Sequence, residues 1–425
     1  MGLHVEMAPK ASESLLPESE SKPRVTEKTI SMESDDDEET TECDCAEYRY
    51  GAGDAVFSSF LVAPLVVGYW RGAWGVMEGH RELFPVAQSF FLGILVHVCF
   101  TLLRSHLLAR SRGAWSSQQG GAGRWVRERI LSRVYTYVFS LANITHWRGG
   151  WGLLDAAVAA ILPNERDPHV PVLYAAVVIA CYVSAACLRS SRNMLASPYF
   201  LVTDGKEATY IFTTRFKTNF SSRETALYVL DCVFSVSVVG SLVVFVWRGS
   251  WALLDIFLFP GDPLKSCWSS LIVGYALVVA TFALQAPVRW AAARLHGAPR
   301  LLLADVYHLL SFFATVNVWR GVWGLLDIYF FPDTPKLSNW CSHAISICLL
   351  ILLNCSNSIL VRGVYIDAEE PAGECVVFPC HYLRIFFHKE RTKKRHKRAL
   401  AAAAVATARK SEDAVLPLQN SDEKV

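Results

Sequence analysis

Trp319-Arg320-Gly321-Val322-Trp323-Gly324-Leu325-Leu326-Asp327 is a phrase that the chain carries four times. The other copies are Trp70-Arg71-Gly72-Ala73-Trp74-Gly75-Val76-Met77-Glu78, Trp147-Arg148-Gly149-Gly150-Trp151-Gly152-Leu153-Leu154-Asp155 and Trp247-Arg248-Gly249-Ser250-Trp251-Ala252-Leu253-Leu254-Asp255. The pattern is W-R-G-x-W, a small residue, two aliphatics (Met once) and an acid. Recurrence at fixed offsets marks an internal repeat, and a repeated unit buries its apolar face on its neighbours.

The sequence around each copy decides the setting. Of 425 residues, 52% are hydrophobic and only 19% are charged, below the usual quarter for soluble domains. Apolar stretches of near-spanning length recur between residues 55 and 361, and 18 or more apolar residues read as a bilayer-spanning helix. The predicted spans are 54–70, 83–103, 133–147, 170–188, 225–247, 268–288, 301–319 and 341–361. The fold class expected is therefore an all-α polytopic membrane protein, with eight transmembrane helices as four repeated helical hairpins (54–103, 133–188, 225–288, 301–361). One motif closes each odd helix. A basic, Gly-rich loop from Arg104 to Arg133 joins the first two hairpins.

Flanking this 54–361 domain are two charged tails. Residues 1–50 carry 14 acids against 5 bases, too little apolar surface to fold, so 1–53 reads as a disordered acidic tail. Residues 362–425 include 381–398, with 8 Lys/Arg and one Glu. The aromatic run Phe378–Lys389 followed by Lys393–Arg398 reads as an interfacial anchor against anionic lipid. A nucleic-acid or nuclear-localisation reading of that run fails in a chain with eight spans. No apolar signal segment stands near Met1. The loops carrying the motifs hold 2 Lys/Arg each, and those joining hairpins hold 7, 6 and 3. The positive-inside rule then places both termini in the cytoplasm and the motifs outside. Glycosylation at Asn219 would contradict that topology.

Within each motif the two Trp lie four apart and the Arg and the acid seven apart, so each pair shares a helix face. Two turns is far for a contact within one helix, so Arg and acid are expected to find partners in neighbouring repeats. A helix unbroken from Leu303 to Phe331 would run about 43 Å, longer than the ~30 Å hydrocarbon core. A bend is therefore expected at Gly72, Gly149, Gly249 and Gly321. The four Arg–acid sets either pin the bundle together or converge on an ion or substrate path. Pinning is preferred, because each acid brings an Arg with it.

Other residues invite weighing. Asp231, Asp305, His97 and His308 fall in or near spans, where a satisfied structural role is preferred to a proton relay. Cys267 and Cys341 follow corresponding outer loops and are candidates for a disulfide. Cys43, Cys45 and Cys380 are candidates for acylation near the membrane. Cys375, Cys380 and His381 suggest a metal only weakly. No hydrolase, kinase, P-loop or zincin signature is present, so no catalytic residue, cofactor or metal is assigned, and the chain is not read as an enzyme.

Four copies of W-R-G-x-W-[GA]-[LV]-[LM]-[DE] over eight spans resemble the Fuseless family of multi-pass animal membrane proteins. The resemblance covers roughly residues 54–361, and the first copy departs with Val-Met-Glu. It implies a presynaptic plasma-membrane protein linked to organising voltage-gated calcium channels at active zones and to calcium-dependent exocytosis. It supplies no reaction, ligand or active-site residue. A scaffold with partner-binding tails is the first reading. A secondary transporter or channel using the motif charges is the alternative, motivated by the internal repeats.

Overall fold

The computed structural model describes residues 51–116, 122–164, 166–204, 212–218, 225–361, 363–371 and 373–383, together with Thr392 and Lys397. The acidic tail with Cys43 and Cys45, the Asn219 sequon and most of the basic C-terminal run lie outside these residues. Helices dominate, and the described residues hold only two isolated bridges, Leu201 with Cys380 and Thr213 with Gly363.

Helix α1 spans Gly51–Glu78, followed by α2 (Val86–Ser116), α3 (Ala122–Ile161) and α4 (Val170–Cys187). Helix α5 spans Thr225–Phe257, followed by α6 (Pro263–Arg294), α7 (Gly297–Tyr329) and α8 (Pro335–Leu352). Six of them, α1, α2, α4, α5, α6 and α7, are long and apolar enough to cross a membrane. Helices α3 and α8 are more polar. They turn Ser140, Asn143, His146, Ser338, Ser342 and His343 into the interior.

Most of the helices overrun the predicted spans; α4 matches its own, and α8 begins before 341 and stops at Leu352, short of 361. Each motif helix continues through its motif and ends at Glu78, Ile161, Phe257 or Tyr329. The motif stands at the end of each inner helix, which stops at or within six residues of the motif acid rather than at its first Trp, and the helix is not interrupted at the four glycines. Charged residues look like a membrane edge in sequence, but here they are paired against other helices and the apolar face continues beyond them. The basic loop expected from Arg104 to Arg133 is likewise mostly helix, shared between α2 and α3.

The pairing of helices also differs from the expected hairpins. Helix α2 packs along α3, α4 along α5, α6 along α7, and α8 along α1. The repeat pairs are thus shifted by one element, and the last helix closes on the first. Each glycine of the W-R-G step marks such a crossing. A Cβ on Gly72 would lie 2.6 Å from the His343 nitrogen of α8, and one on Gly149 2.3 Å from the Phe90 nitrogen of α2. Gly321 meets the Leu271 backbone of α6, and Gly249 meets Val178 of α4. Glycine is needed here for close approach of backbones. Gly149→Ala is therefore expected to destabilise the fold by about 1–3 kcal/mol, since the backbone of Phe90 cannot rotate away. Gly261→Ala is the control, because no atom lies within 4 Å of its Cβ. Thermal unfolding of the two variants checks this.

Helices α1, α3, α5 and α7 form an inner ring, each backed by one outer helix. In their most apolar windows α5 and α7 are 50% and 56% buried, whereas α4 and α6 are 17% buried. The outer helices carry exposed Phe91, Leu95, Ile179, Ile272, Val279 and Ile345. An apolar jacket around a more polar interior is the pattern of a protein dissolved in lipid.

Candidate functional site: a double tryptophan ring closed by ion pairs

The motif spacing of four puts both Trp of each repeat on the axis, in successive turns. Trp70, Trp147, Trp247 and Trp319 form one closed tier. Their neighbouring centroids lie 5.5, 5.5, 5.4 and 5.7 Å apart in ring order, the last closing Trp319 onto Trp70. Trp74, Trp151, Trp251 and Trp323 form the second tier, at 5.4, 5.5, 5.9 and 5.8 Å. Every contact is edge-to-face, the arrangement that sets the positive edge of one ring against the negative face of the next. Such a cycle satisfies each indole once as edge and once as face only if the ring closes.

Three of the four indole N–H groups of the first tier point to the chain beneath. Trp70 donates to the Ile359 carbonyl at 3.1 Å, Trp247 to Met194 at 2.9 Å and Trp319 to Ser197 at 2.8 Å. Between and around the tiers lies a cavity of about 190 Å³, lined by the eight motif Trp and Arg248.

A ring of ion pairs surrounds the aromatic tiers. Arg148 pairs with Glu78 at 2.8 Å, Arg248 with Asp155 at 2.6 Å, Arg320 with Asp255 at 2.9 Å and Arg71 with Asp327 at 2.8 Å. Each Arg takes the acid of the preceding repeat, and the first Arg takes the last acid. The ring therefore closes in the same sense as the tryptophans. The Arg side chains are 4–18% exposed and the acids 38–54%, so the buried member of each pair is the cation. Three of the Arg are held further by the outer helix. Arg71 donates to Ser338 Oγ, Arg320 to Ser266 and Ser270, and Arg148 to the Phe84 carbonyl just before α2. Arg248 instead stacks over Trp151, 5.1 Å from the ring centroid, and over Tyr174 at 5.8 Å.

At the other end of the bundle the symmetry is twofold. The chain after α4 and the chain after α8 each make a left-handed residue, Arg189 and Asn354, then a short 3₁₀ turn, Ser191–Met194 and Ser356–Ile359. The two segments clasp each other. Asp204 accepts from the backbone N–H of Ser356 and Asn357 at 2.9 and 2.8 Å. Asp367 accepts from Ser191 and Arg192 at 2.5 and 2.9 Å. The backbone repeats the exchange, Asp204 N–H to the Asn354 carbonyl and Asp367 N–H to that of Arg189. Sixteen residues before Trp70 and Trp247 stand Asp54 and Asp231. Asp54 accepts from Tyr382 and Leu383, and Asp231 from Phe216 and Thr218. Helices α1 and α5 also share a π-helical turn, at Ser58–Val62 and Ser235–Gly240. The chain is thus two related halves, each of two repeats.

The halves differ in one buried charge. Fourteen residues before the first motif Trp, α3 has Arg133 and α7 has Asp305. Arg133 pairs with Asp204 at 2.5 Å. Asp305 accepts from Ser191 Oγ at 2.8 Å and lies with His308 and Asp367, one ligand atom of each within 4.8 Å. This is the one cluster with metal-ligand proximity among the described residues, and its members already engage one another and Ser191. Burial pushes the Asp367 carboxyl up to about 6, the Asp305 charge acts the same way, and the Ser191 and Arg192 N–H groups oppose it. A folded-state value above the unfolded ~3.9 means the folded protein holds the extra proton between the two. Stability is then expected to fall as pH rises from about 4 to about 6, by on the order of 3 kcal/mol. Unfolding free energies across that window should show the slope, and Asp367→Asn should flatten it.

The remaining sequence candidates are placed as follows. Asp231 is fully hydrogen-bonded as a loop cap, the structural role expected. His97 is buried with neither ring nitrogen hydrogen-bonded and packs edge-on against Phe139 and Phe212. Cys267 and Cys341 are both free thiols, so the candidate disulfide is not formed. Cys267 faces Gly324 across the α6–α7 contact, whereas Cys341 belongs to α8, which packs on α1. Cys380 is 3% exposed, with its thiol 3.3 Å from the Pro198 carbonyl. It is buried in the clasp rather than exposed at a membrane surface. Cys375 is buried, and it forms no metal-binding group with Cys380 and His381.

Inner helices carrying one repeated phrase, closed into a ring and wrapped in apolar helices, define an α-helical membrane-embedded repeat protein. The Fuseless family model matches residues 50–360. The chain belongs to the Fuseless family. No curated protein and no solved structure matches it.

Proposed function

We propose that all eight helices cross the plasma membrane, with the tryptophan ring on the outer side and both termini in the cytoplasm, and that the protein organises presynaptic active zones. In this reading it supports voltage-gated calcium-channel localisation and calcium-dependent vesicle exocytosis. The observation that carries it is the family match over residues 50–360, which takes in the whole ring and leaves both charged tails outside. The tails are the expected partner-binding elements, with the basic C-terminal run against anionic lipid. At 33 residues α7 is about 50 Å long and projects beyond a ~30 Å core at both faces.

The closed aromatic tiers support a scaffold over a transporter or channel. Neighbouring indole centroids under 6 Å apart narrow the axis at that level, and the motif Arg are committed to acids. Deletion of residues 1–50, or of 384–425, tests the scaffold. Loss of calcium-channel recruitment with a folded, surface-expressed bundle is expected for at least one. Normal recruitment by both would remove tail-mediated organisation. Ion flux through reconstituted protein, abolished in Asp255→Asn, would favour the conduit instead.

A further inference from the structure

We propose that the tryptophan cavity binds a quaternary ammonium group. Its volume of about 190 Å³ exceeds the ~150 Å³ that admits benzene in an engineered apolar cavity, so a trimethylammonium head has room. The walls are eight indoles and one guanidinium. Three of the eight indole N–H groups are already given to backbone carbonyls below. A primary ammonium would enter with N–H groups that the indoles cannot satisfy. A quaternary ammonium has none, and Trp offers the strongest cation–π face.

Two further observations point the same way. The protein itself sets a cation on this wall, the Arg248 guanidinium over Trp151 at 5.1 Å. That charge is held by Asp155 at 2.6 Å, so the lining is not left positive. Beyond the cavity, one helical turn after the second Trp of each motif, stand the four acids, 38–54% exposed over Arg that are 4–18% exposed. The accessible face of each pair is therefore carboxylate, with the matching positive charge beneath it, which favours the approach of a cation over an anion.

The group can come from a free solute or from a phosphatidylcholine headgroup of the facing leaflet. The full chain in nanodiscs of phosphatidylglycerol and phosphatidylethanolamine, which lack choline, is titrated with choline and with its neutral isostere 3,3-dimethyl-1-butanol while Trp emission is followed at constant ionic strength. Choline is expected to give a saturable change, and the isostere to bind at least about tenfold more weakly. Trp251→Phe should keep most of the response and Trp251→Leu should lose it. In phosphatidylcholine discs, loss of the response to free choline identifies the headgroup as occupant, and retention identifies a soluble ligand. Equal binding of choline and isostere, or no saturable change with choline in the choline-free discs, overturns the proposal. The wild-type comparison decides this even where Trp251→Leu fails to fold.

Discussion

Asp204→Ala is expected to cost about 3–5 kcal/mol, the range for stranding one partner of a buried pair. Its side chain is 1% exposed. Both oxygens are committed, to Ser356 N–H, Asn357 N–H and the Arg133 guanidinium. Removing the carboxylate leaves two buried backbone donors and one cation without a counter-charge, and buried donors left unpaired cost about 1–3 kcal/mol each in desolvation. Asp204→Asn keeps the shape and one acceptor and should lose less. Because the Asp204 clasp ties the chain after α4 to the chain after α8, the loss should appear as protease sensitivity near residues 353–361 before global unfolding. Unfolding free energies together with the sites of limited proteolysis check both points.

The second large effect belongs to the ion-pair ring. Asp255→Ala leaves Arg320, 8% exposed, with a full charge and only the Ser266 and Ser270 oxygens to hold it. We expect a loss of about 3 kcal/mol. Arg320→Met alone should cost less, because Asp255 is 48% exposed and can hydrate. The double variant Arg320→Met with Asp255→Ala should recover at least about half of the loss caused by Asp255→Ala, since no buried cation remains. The order of the three stabilities, rather than any one value, tests whether the buried guanidinium dominates the energetics.

Much of the ring was legible in the phrase itself. Spacings of four and seven fix which residues share a face, and the distance between Arg320 and Asp327 along one helix already excluded a pair within the repeat. That partners come from the neighbouring repeat follows. Helix α4, Val170–Cys187, lies where unbroken hydropathy put it. The lateral order of helices was not legible. Nothing in the phrase says that α8 rather than α2 backs α1. That choice is made by Ser338 under Arg71 and by His343 against Gly72, residues that look like ordinary polar interruptions of a span. The helix ends were misplaced because a charge within an apolar run reads as an interface when it is in fact a buried guanidinium paired with a half-exposed acid of a neighbouring helix. The clasp was invisible for another reason. Asp204, Asp367, Asp54 and Asp231 hold backbone N–H groups, and a backbone donor has no sequence signature. Cys380, next to a basic run, looked exposed for the same reason: its cover, Pro198 and Ser58, is distant in sequence.

The most direct measurement is a pair of double-mutant cycles on unfolding free energy that share Asp327. One joins it to Arg71, across the closure of the ring, and the other to Arg320, in its own motif. A ring closed from the first repeat to the last predicts a coupling of at least about 1.5 kcal/mol for Arg71 with Asp327, and under about 0.5 kcal/mol for Arg320 with Asp327. The reverse order, or no coupling between Arg71 and Asp327, would contradict the closed ring.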